Sequence, residues 1–248
     1  MIVNTSVAGL HIILHEAHGL LAGKIANEIA ETYRPIHWFE TLTAVCEHDD
    51  RQLDFAEKDY LSDIGVPMDF TEERTSVHEV MERMKRVLKS AANKSMWVRL
   101  LISYHLEFIY SSLADDSKQI REFLKKEEKI RLDSLEKFKI SDKKAREYYE
   151  FLRFCDRLSL ILCNDETPDC NRVLEINTSI NGERYFITRT EDDALIITPW
   201  IFSVSEFELT VEERVLTEIK FSSSKKFEKA LMAAEVQEKR WTISKARV

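Results

Sequence analysis

Val173–Arg189 reads VLEINTSINGERYFITR, and the fold class turns on this stretch. Apolar and polar residues alternate on both sides of Asn181-Gly182, and Asn-Gly between alternating runs is the strongest short signal for a two-residue β-hairpin. Immediately before it, Asn164–Cys170 (NDETPDC) is a cluster of turn residues. Upstream of that cluster, as far back as Glu16, apolar residues recur at the three- and four-residue spacing of helices. The chain therefore reads as α+β. A mainly helical part over about 16–164 follows an N-terminal hairpin, and an antiparallel β region closes the chain. We divide it into a domain at 1–165 and a β subdomain at 166–248 packed on the helical part.

Downstream of the hairpin, ALIITPW, SEFELTV and RVLTEIKF continue as strands. One helix at about 225–236 and a last strand around RWTIS follow. Upstream, residues 2–5 and 10–14 form the N-terminal hairpin, and a helix from 16 to 33 carries Leu21, Ala22, Ile25 and Ile29 on one face. Pro35 suits the first turn of a second helix that runs to about His48. Ser76 with Glu79 makes a capping box for a helix at 77–92. Further helices are expected at 94–113, 117–138 and 142–163, the last capped by Ser141. The segment 51–76 is aperiodic and longer than an ordinary connection, which makes it a candidate lid or site wall.

Size and composition set limits on function. A chain of 248 residues with 44% hydrophobic and 32% charged residues buries enough surface to fold without disulfides or structural metals. The net charge of −8 disfavours general binding to a nucleic-acid backbone. The locally basic stretch 118–148 interleaves both signs, as exposed helices do. No apolar run approaches the roughly 18 residues of a membrane span, and the opening MIVNTSVAGLHIILHEAHG lacks a basic leader and cleavage site. The four cysteines show no CxxC pairing, so a cytoplasmic location is the expectation.

Four polar residues interrupt apolar helix stripes. His18 lies in line with Leu21, Ala22, Ile25 and Ile29. His48 and Asp49 end the stripe of Trp38, Leu42 and Val45, and Asp156 sits among Tyr149, Leu152, Leu160 and Cys163. A carboxylate on an apolar stripe is costly unless it is paired or bound to a cation. Two imidazoles and two carboxylates from three facing helices would meet that cost by holding a divalent metal, with mixed N/O ligation suited to Mn, Fe, Co, Ni or Zn. Each residue alone has a plainer role, as a hydrogen-bonded core histidine or an Asp paired with an Arg. His105, on the stripe of Trp97, Leu101, Tyr104 and Phe108, would complete the site, act as general acid or base, or pack. Asp50 would position a water or orient a ligand. His15 is off the stripe of His18 and reads as peripheral.

The order H…HD…D resembles the HD superfamily of helical metal-dependent phosphohydrolases, and that resemblance implies an HD-like helical bundle. A second resemblance covers nearly the whole chain. MIV, HEAHGLLAGKIA, AVCEHDD, SYHLEF, FLRFCDRLSLILC and ITPWIF occur in the order seen in a prokaryotic family designated domain of unknown function 3891. The resemblance matches its histidines to His18 and His105, its H-D-D to Asp49 and its two neighbours His48 and Asp50, and its D-R-L-S-L to Asp156. His15 stands where that family usually has Gln, and Arg51 where Gly normally follows H-D-D. The family implies a fold and no activity.

Two functions are compatible with these residues. The first is a metal-dependent hydrolase of a phosphate ester or anhydride. His18, His48, Asp49 and Asp156 would bind the metal, Asp50 and His105 would move protons, and Arg51 and Arg74 would bind a phosphorylated small-molecule substrate. The second is a non-catalytic sensor or scaffold whose β region binds a partner through Trp200, Phe202 and Phe207; those aromatics would otherwise dock the β region on the helices. Homo-oligomers are compatible with either.

Overall fold

A computed structural model describes residues 1–73, 75–170 and 172–246, except the side chains of Asn177 and Thr178. The chain opens with β1 (Ile2–Ser6) and β2 (Gly9–Ile13), paired antiparallel, and passes into α1 (His15–Glu28). Then come α2 (Trp38–Glu47), α3 (Val77–Lys94), α4 (Met96–Asp116), α5 (Lys118–Phe138) and α6 (Asp142–Cys163). The second half adds β3 (Val173–Ile180), β4 (Glu183–Arg189), β5 (Leu195–Thr198), β6 (Glu206–Leu216), α7 (Ser224–Ala233) and β7 (Glu235–Ser244). Residues 181–182 form the β3–β4 turn, with both Asn181 and Gly182 at positive φ, the backbone that a two-residue primed turn needs.

All seven strands belong to one sheet in the order β1-β2-β6-β7-β5-β4-β3, curled into a half-barrel. This overturns the expectation of a mainly helical HD-like bundle over about 16–164 with a hairpin at one end and an antiparallel β region at the other. β2 pairs with β6, Leu10 opposite Leu216, so the N-terminal hairpin is the edge of the same sheet that holds β3–β5. The sheet is also mixed, because β7 lies antiparallel to β6 but parallel to β5. The physical reason is that a strand's own alternation fixes which face it buries but not its partner, and the β2–β6 pairing joins residues some 200 positions apart. SEFELTV and the start of RVLTEIKF, which read as two strands, run together in the single strand β6, which ends at Leu216 and leaves Thr217–Phe221 outside the sheet.

The sheet explains why β2 is apolar on consecutive residues. Side chains alternate across a strand, and Ile13 enters the main core with Leu21, Leu101 and Phe154, while Leu10 and Ile12 enter a second cluster with Tyr60, Phe221 and Phe227. α7 and the segment 51–61 cover that second face. The long connection is anchored, not loose: Asp69 accepts from Val3 N at 3.0 Å, and Phe221 N donates to the Gly65 carbonyl at 2.7 Å. Arg74 lies outside the described residues.

On the other face, α1 packs on α2, α6 and β6, and α4 packs on α2, α3, α5 and α6. Two glycines allow α1 to approach α2 closely. A Cβ at Gly19 would lie 2.3 Å from the Cys46 carbonyl oxygen, and one at Gly23 would lie 2.2 Å from Cys46 Sγ. The far end of α1 is tied to the β region, with Ala30 N donating to the Ile201 carbonyl and Ser203 N to the Glu28 carbonyl. Trp200, Phe202 and Phe207 pack on one another with ring centroids 4.8–6.3 Å apart and lie against the main core. Among the described residues, no helix is long and apolar enough to cross a membrane.

Candidate metal centre

The close approach of α1 and α2 brings His18, in the first turn of α1, against His48, the C-terminal cap of α2. Their Nε2 atoms are 3.2 Å apart. Asp156, midway along α6, places Oδ1 3.1 Å from His48 Nε2 and 3.2 Å from His18 Nε2. Both imidazoles are fully buried.

The hydrogen bonds behind the rings fix what they present. His48 Nδ1 donates to the Val45 carbonyl at 2.7 Å. Ser159 Oγ donates to the Asp156 carbonyl and is therefore free to accept from His18 Nδ1 at 2.9 Å. With each Nδ1 carrying the proton, both Nε2 atoms turn bare lone pairs toward each other and toward a carboxylate oxygen. Three acceptors so close repel unless a proton or a cation lies among them. A first-row divalent ion with bonds of about 2.0–2.2 Å holds neighbouring ligand atoms about 2.8–3.1 Å apart in octahedral and about 3.3–3.6 Å apart in tetrahedral geometry, and the sides of the triangle lie within that span.

The surrounding groups extend the set. His105, midway along α4, meets His48 edge to face with ring centroids 4.9 Å apart. Its Nδ1 lies 3.3 Å from Tyr149 Oη, and its buried Nε2 has no hydrogen-bond partner. His48, His105 and Asp156 form one group that could hold a metal, and His18, His48 and Asp49 form another. Asp49 is more committed than the other acid: Oδ1 accepts from Arg83 at 2.6 Å, and Oδ2 lies 3.2 Å from His15 Nδ1 and 3.9 Å from His18 Nε2. Arg83 also donates to Tyr110 Oη at 2.6 Å.

The electrostatics follow from these contacts. Burial would push His48 down, but the Asp156 carboxylate, helped by Asp49 and the Val45 carbonyl, pushes it up to about 9. Burial would raise Asp156, but His48 and His18 hold it far below the ordinary carboxylate range. Against the same burial, Arg83 and His15 hold Asp49 well below that range. Burial, reinforced by His48, drives His105 down to about 3, so it is neutral at physiological pH. Burial lowers His15 as well.

The structure thus brings together His18, His48, Asp156, Asp49 and His105. Asp50 and Arg51 lie beside them on a neighbouring groove of about 600 Å³ with Arg86 and Lys89. Burial, then Glu47 and Glu16, raises the Asp50 carboxyl. Arg51, at φ 64, occupies left-handed backbone that favours glycine, and its Nε donates to Ser90 Oγ at 3.3 Å. Sequence reasoning missed Arg83 and placed His15 at the periphery. The signal for Arg83 was the one that found Asp156, a charge on the buried stripe Val80, Met84, Val87 of α3. His15 sits three residues before His18, one turn away on the same side of α1.

The family model for DUF3891, a protein of unknown function, matches residues 1–218. The chain belongs to this family. The DUF3891 match contains every residue of the candidate centre and runs through β6, ending before α7 and β7. No curated protein and no solved structure matches the chain.

Proposed function

We propose that this DUF3891 protein is a metal-dependent hydrolase of a phosphate ester or anhydride. The observation that carries the reading is the triangle of His18 Nε2, His48 Nε2 and Asp156 Oδ1, three potential ligand atoms within 3.1–3.2 Å of one another. Asp49 supplies the second carboxylate of the ligand set. A divalent ion bound there would lower the pKa of a coordinated water toward neutrality and offset charge on a phosphoryl oxygen.

The chain's own residues account for the rest. Val45 and Ser159 hold the two imidazoles in the tautomer that ligates, and Arg83 orients Asp49. The raised carboxyl of Asp50 is suited to hold or pass a proton, while His105, neutral and weakly basic, offers its unpartnered Nε2 as a ligand or hydrogen-bond acceptor. Arg51, with Lys89 on the same groove, offers positive charge to a phosphorylated small molecule, while Arg86 there is paired with Glu57. The order of the ligands along the chain is that of HD phosphohydrolases, and the likeness is one of residue order on a different fold. Free thiols at Cys46, Cys155, Cys163 and Cys170 fit a reducing, cytoplasmic setting.

Turnover of p-nitrophenyl phosphate and bis-p-nitrophenyl phosphate, measured with Mn, Ni or Zn and again in EDTA, tests the reading. The expected result is hydrolysis that needs the metal and falls at least about 100-fold in Asp156→Ala. Hydrolysis at equal rates in EDTA, or metal-loaded protein inert to both an ester and an anhydride such as pyrophosphate, would contradict it.

A further inference from the structure

A cavity of about 300 Å³, with His15 in its wall, opens between the start of α1, the segment 52–60 and α7. Its walls are mostly apolar, with Leu14, Leu53, Phe55, Tyr60 and Met232 among them. Its polar fringe is mostly acidic: three carboxylates, from Glu16, Asp54 and Glu228, no Lys or Arg side chain, and beside them His15, Gln52 and the Met1 residue that carries the terminal amine. Asp54 is occupied, since its Oδ1 accepts from Ala56 N and Glu57 N. Among the described residues, Glu16 and Glu228 have neither an ion pair nor a side-chain hydrogen bond. The cations nearest this wall are already committed, because Lys58 Nζ and the Met1 amine both lie against Glu73, at 2.6 and 3.7 Å.

Apolar walls with a few convergent polar groups are the usual make-up of a small-molecule site, and the volume reaches the lower end of the usual range. Here the charged side chains left without an ion pair are both carboxylates, Glu16 and Glu228, and two aromatic rings stand among the apolar groups, Phe55 and Tyr60, with centroids 5.0 Å apart. Tyr60 donates its hydroxyl to the Leu53 carbonyl and already has Lys58 Nζ 5.5 Å from its ring centroid, so Phe55 is the ring with no cation over it among the described residues. Aromatic faces and unpaired carboxylates both favour a cation with an apolar body and disfavour an anion.

We propose that this cavity binds an organic ammonium, an amine carried on an aromatic or aliphatic body. His15 belongs to the cavity wall and its Nδ1 bears on Asp49 Oδ2 at 3.2 Å, so a ligand filling the cavity ends beside the metal centre. That the ammonium is the far end of the hydrolase's substrate rests on the proposed function; the binding itself does not.

The experiment therefore uses metal-free full-length protein, in EDTA at pH 7, titrated with benzylamine, benzyl alcohol and benzoate and followed by NMR. Benzylamine is expected to give saturable shifts at Phe55, Tyr60 and the Met232 methyl, binding about tenfold more tightly than the alcohol, with benzoate weakest. Glu228→Lys is expected to remove most of that preference, about fivefold in affinity. Equal binding of amine and alcohol, or no saturable shift with any of the three, overturns the proposal in the wild-type protein alone. An unchanged amine preference in folded Glu228→Lys also overturns it. Failure of the metal centre leaves this readout intact, because no metal is present in it.

Discussion

Replacing Asp156 by Asn removes the one anion of the triangle while keeping its shape, and the consequences can be worked out separately with and without metal. Without metal, the wild-type carboxylate supports the proton on His48, whose pKa is raised to about 9. At pH 7 the variant sheds that proton, and two units at 1.36 kcal/mol each set the loss at no more than about 3 kcal/mol. Asn also escapes the desolvation penalty of the carboxylate, so the loss lies between nothing and that ceiling. For a chain of this length, about 3 kcal/mol corresponds to roughly 6–12 °C in Tm. The metal response separates the alternatives. At free metal about 1,000 times Kd the wild-type protein gains about 4 kcal/mol, a rise of roughly 8–16 °C. A loss of about 100-fold in affinity, the upper figure for disturbing a ligand's partners and a modest one for a ligand itself, leaves the variant at about ten times Kd. It then gains only about 1.4 kcal/mol, or roughly 3–6 °C. Differential scanning fluorimetry of both proteins in EDTA and in Mn, Ni or Zn measures this. A metal-induced rise in Asp156→Asn within about 2 °C of the wild-type rise would refute the reasoning.

Other predictions follow from neighbouring contacts. The raised pKa of His48 contributes stability that is fully present below about 6.5 and lost as pH rises through about 9. Asp156, held low, contributes uniformly across that window. The metal-free protein should therefore lose Tm between pH 6.5 and 9, while metal affinity climbs about tenfold per pH unit as one proton leaves per ion bound; a flat or rising Tm, with pH-independent affinity by calorimetry, would contradict this. Gly23→Ala should destabilise by about 1–3 kcal/mol in urea denaturation and be rescued by Cys46→Ala, because the clash is with Sγ. Gly19→Ala meets the Cys46 backbone and should not be rescued, so equal rescue of both would show that α1 and α2 do not meet as described. Arg83→Met leaves Asp49 without its guanidinium partner and should cost about 3–5 kcal/mol by the same assay; a loss below about 1 kcal/mol would mean that the pair does not hold Asp49.

The sequence was most legible where a local signal fixes a local structure. Ser76 and Glu79 form the expected capping box, Ser141 caps α6, and Asn181-Gly182 forms its hairpin, because each of these signals acts within a few residues. α2 starts later than Pro35 suggested: His37 sits in left-handed backbone at φ 52, so the helix begins only at Trp38. The sheet was illegible for a different reason. Nothing local in β7 says that it inserts between β6 and β5, and nothing in Leu10 says that it faces Leu216. In the candidate site, His18, His48 and Asp156 stood out because a polar group on an apolar stripe needs a partner. The groups that orient the two imidazoles, the Val45 carbonyl and Ser159 Oγ, depend on ring orientation that spacing does not record.

Elemental analysis of the purified protein after dialysis against Mn, Ni or Zn, with Asp156→Ala and His48→Ala in parallel, puts the converging triangle to its most direct test. One ion per wild-type chain, retained through gel filtration and missing from both folded variants, is the predicted result. A wild-type chain that takes up no ion, or variants that keep it, would contradict the account.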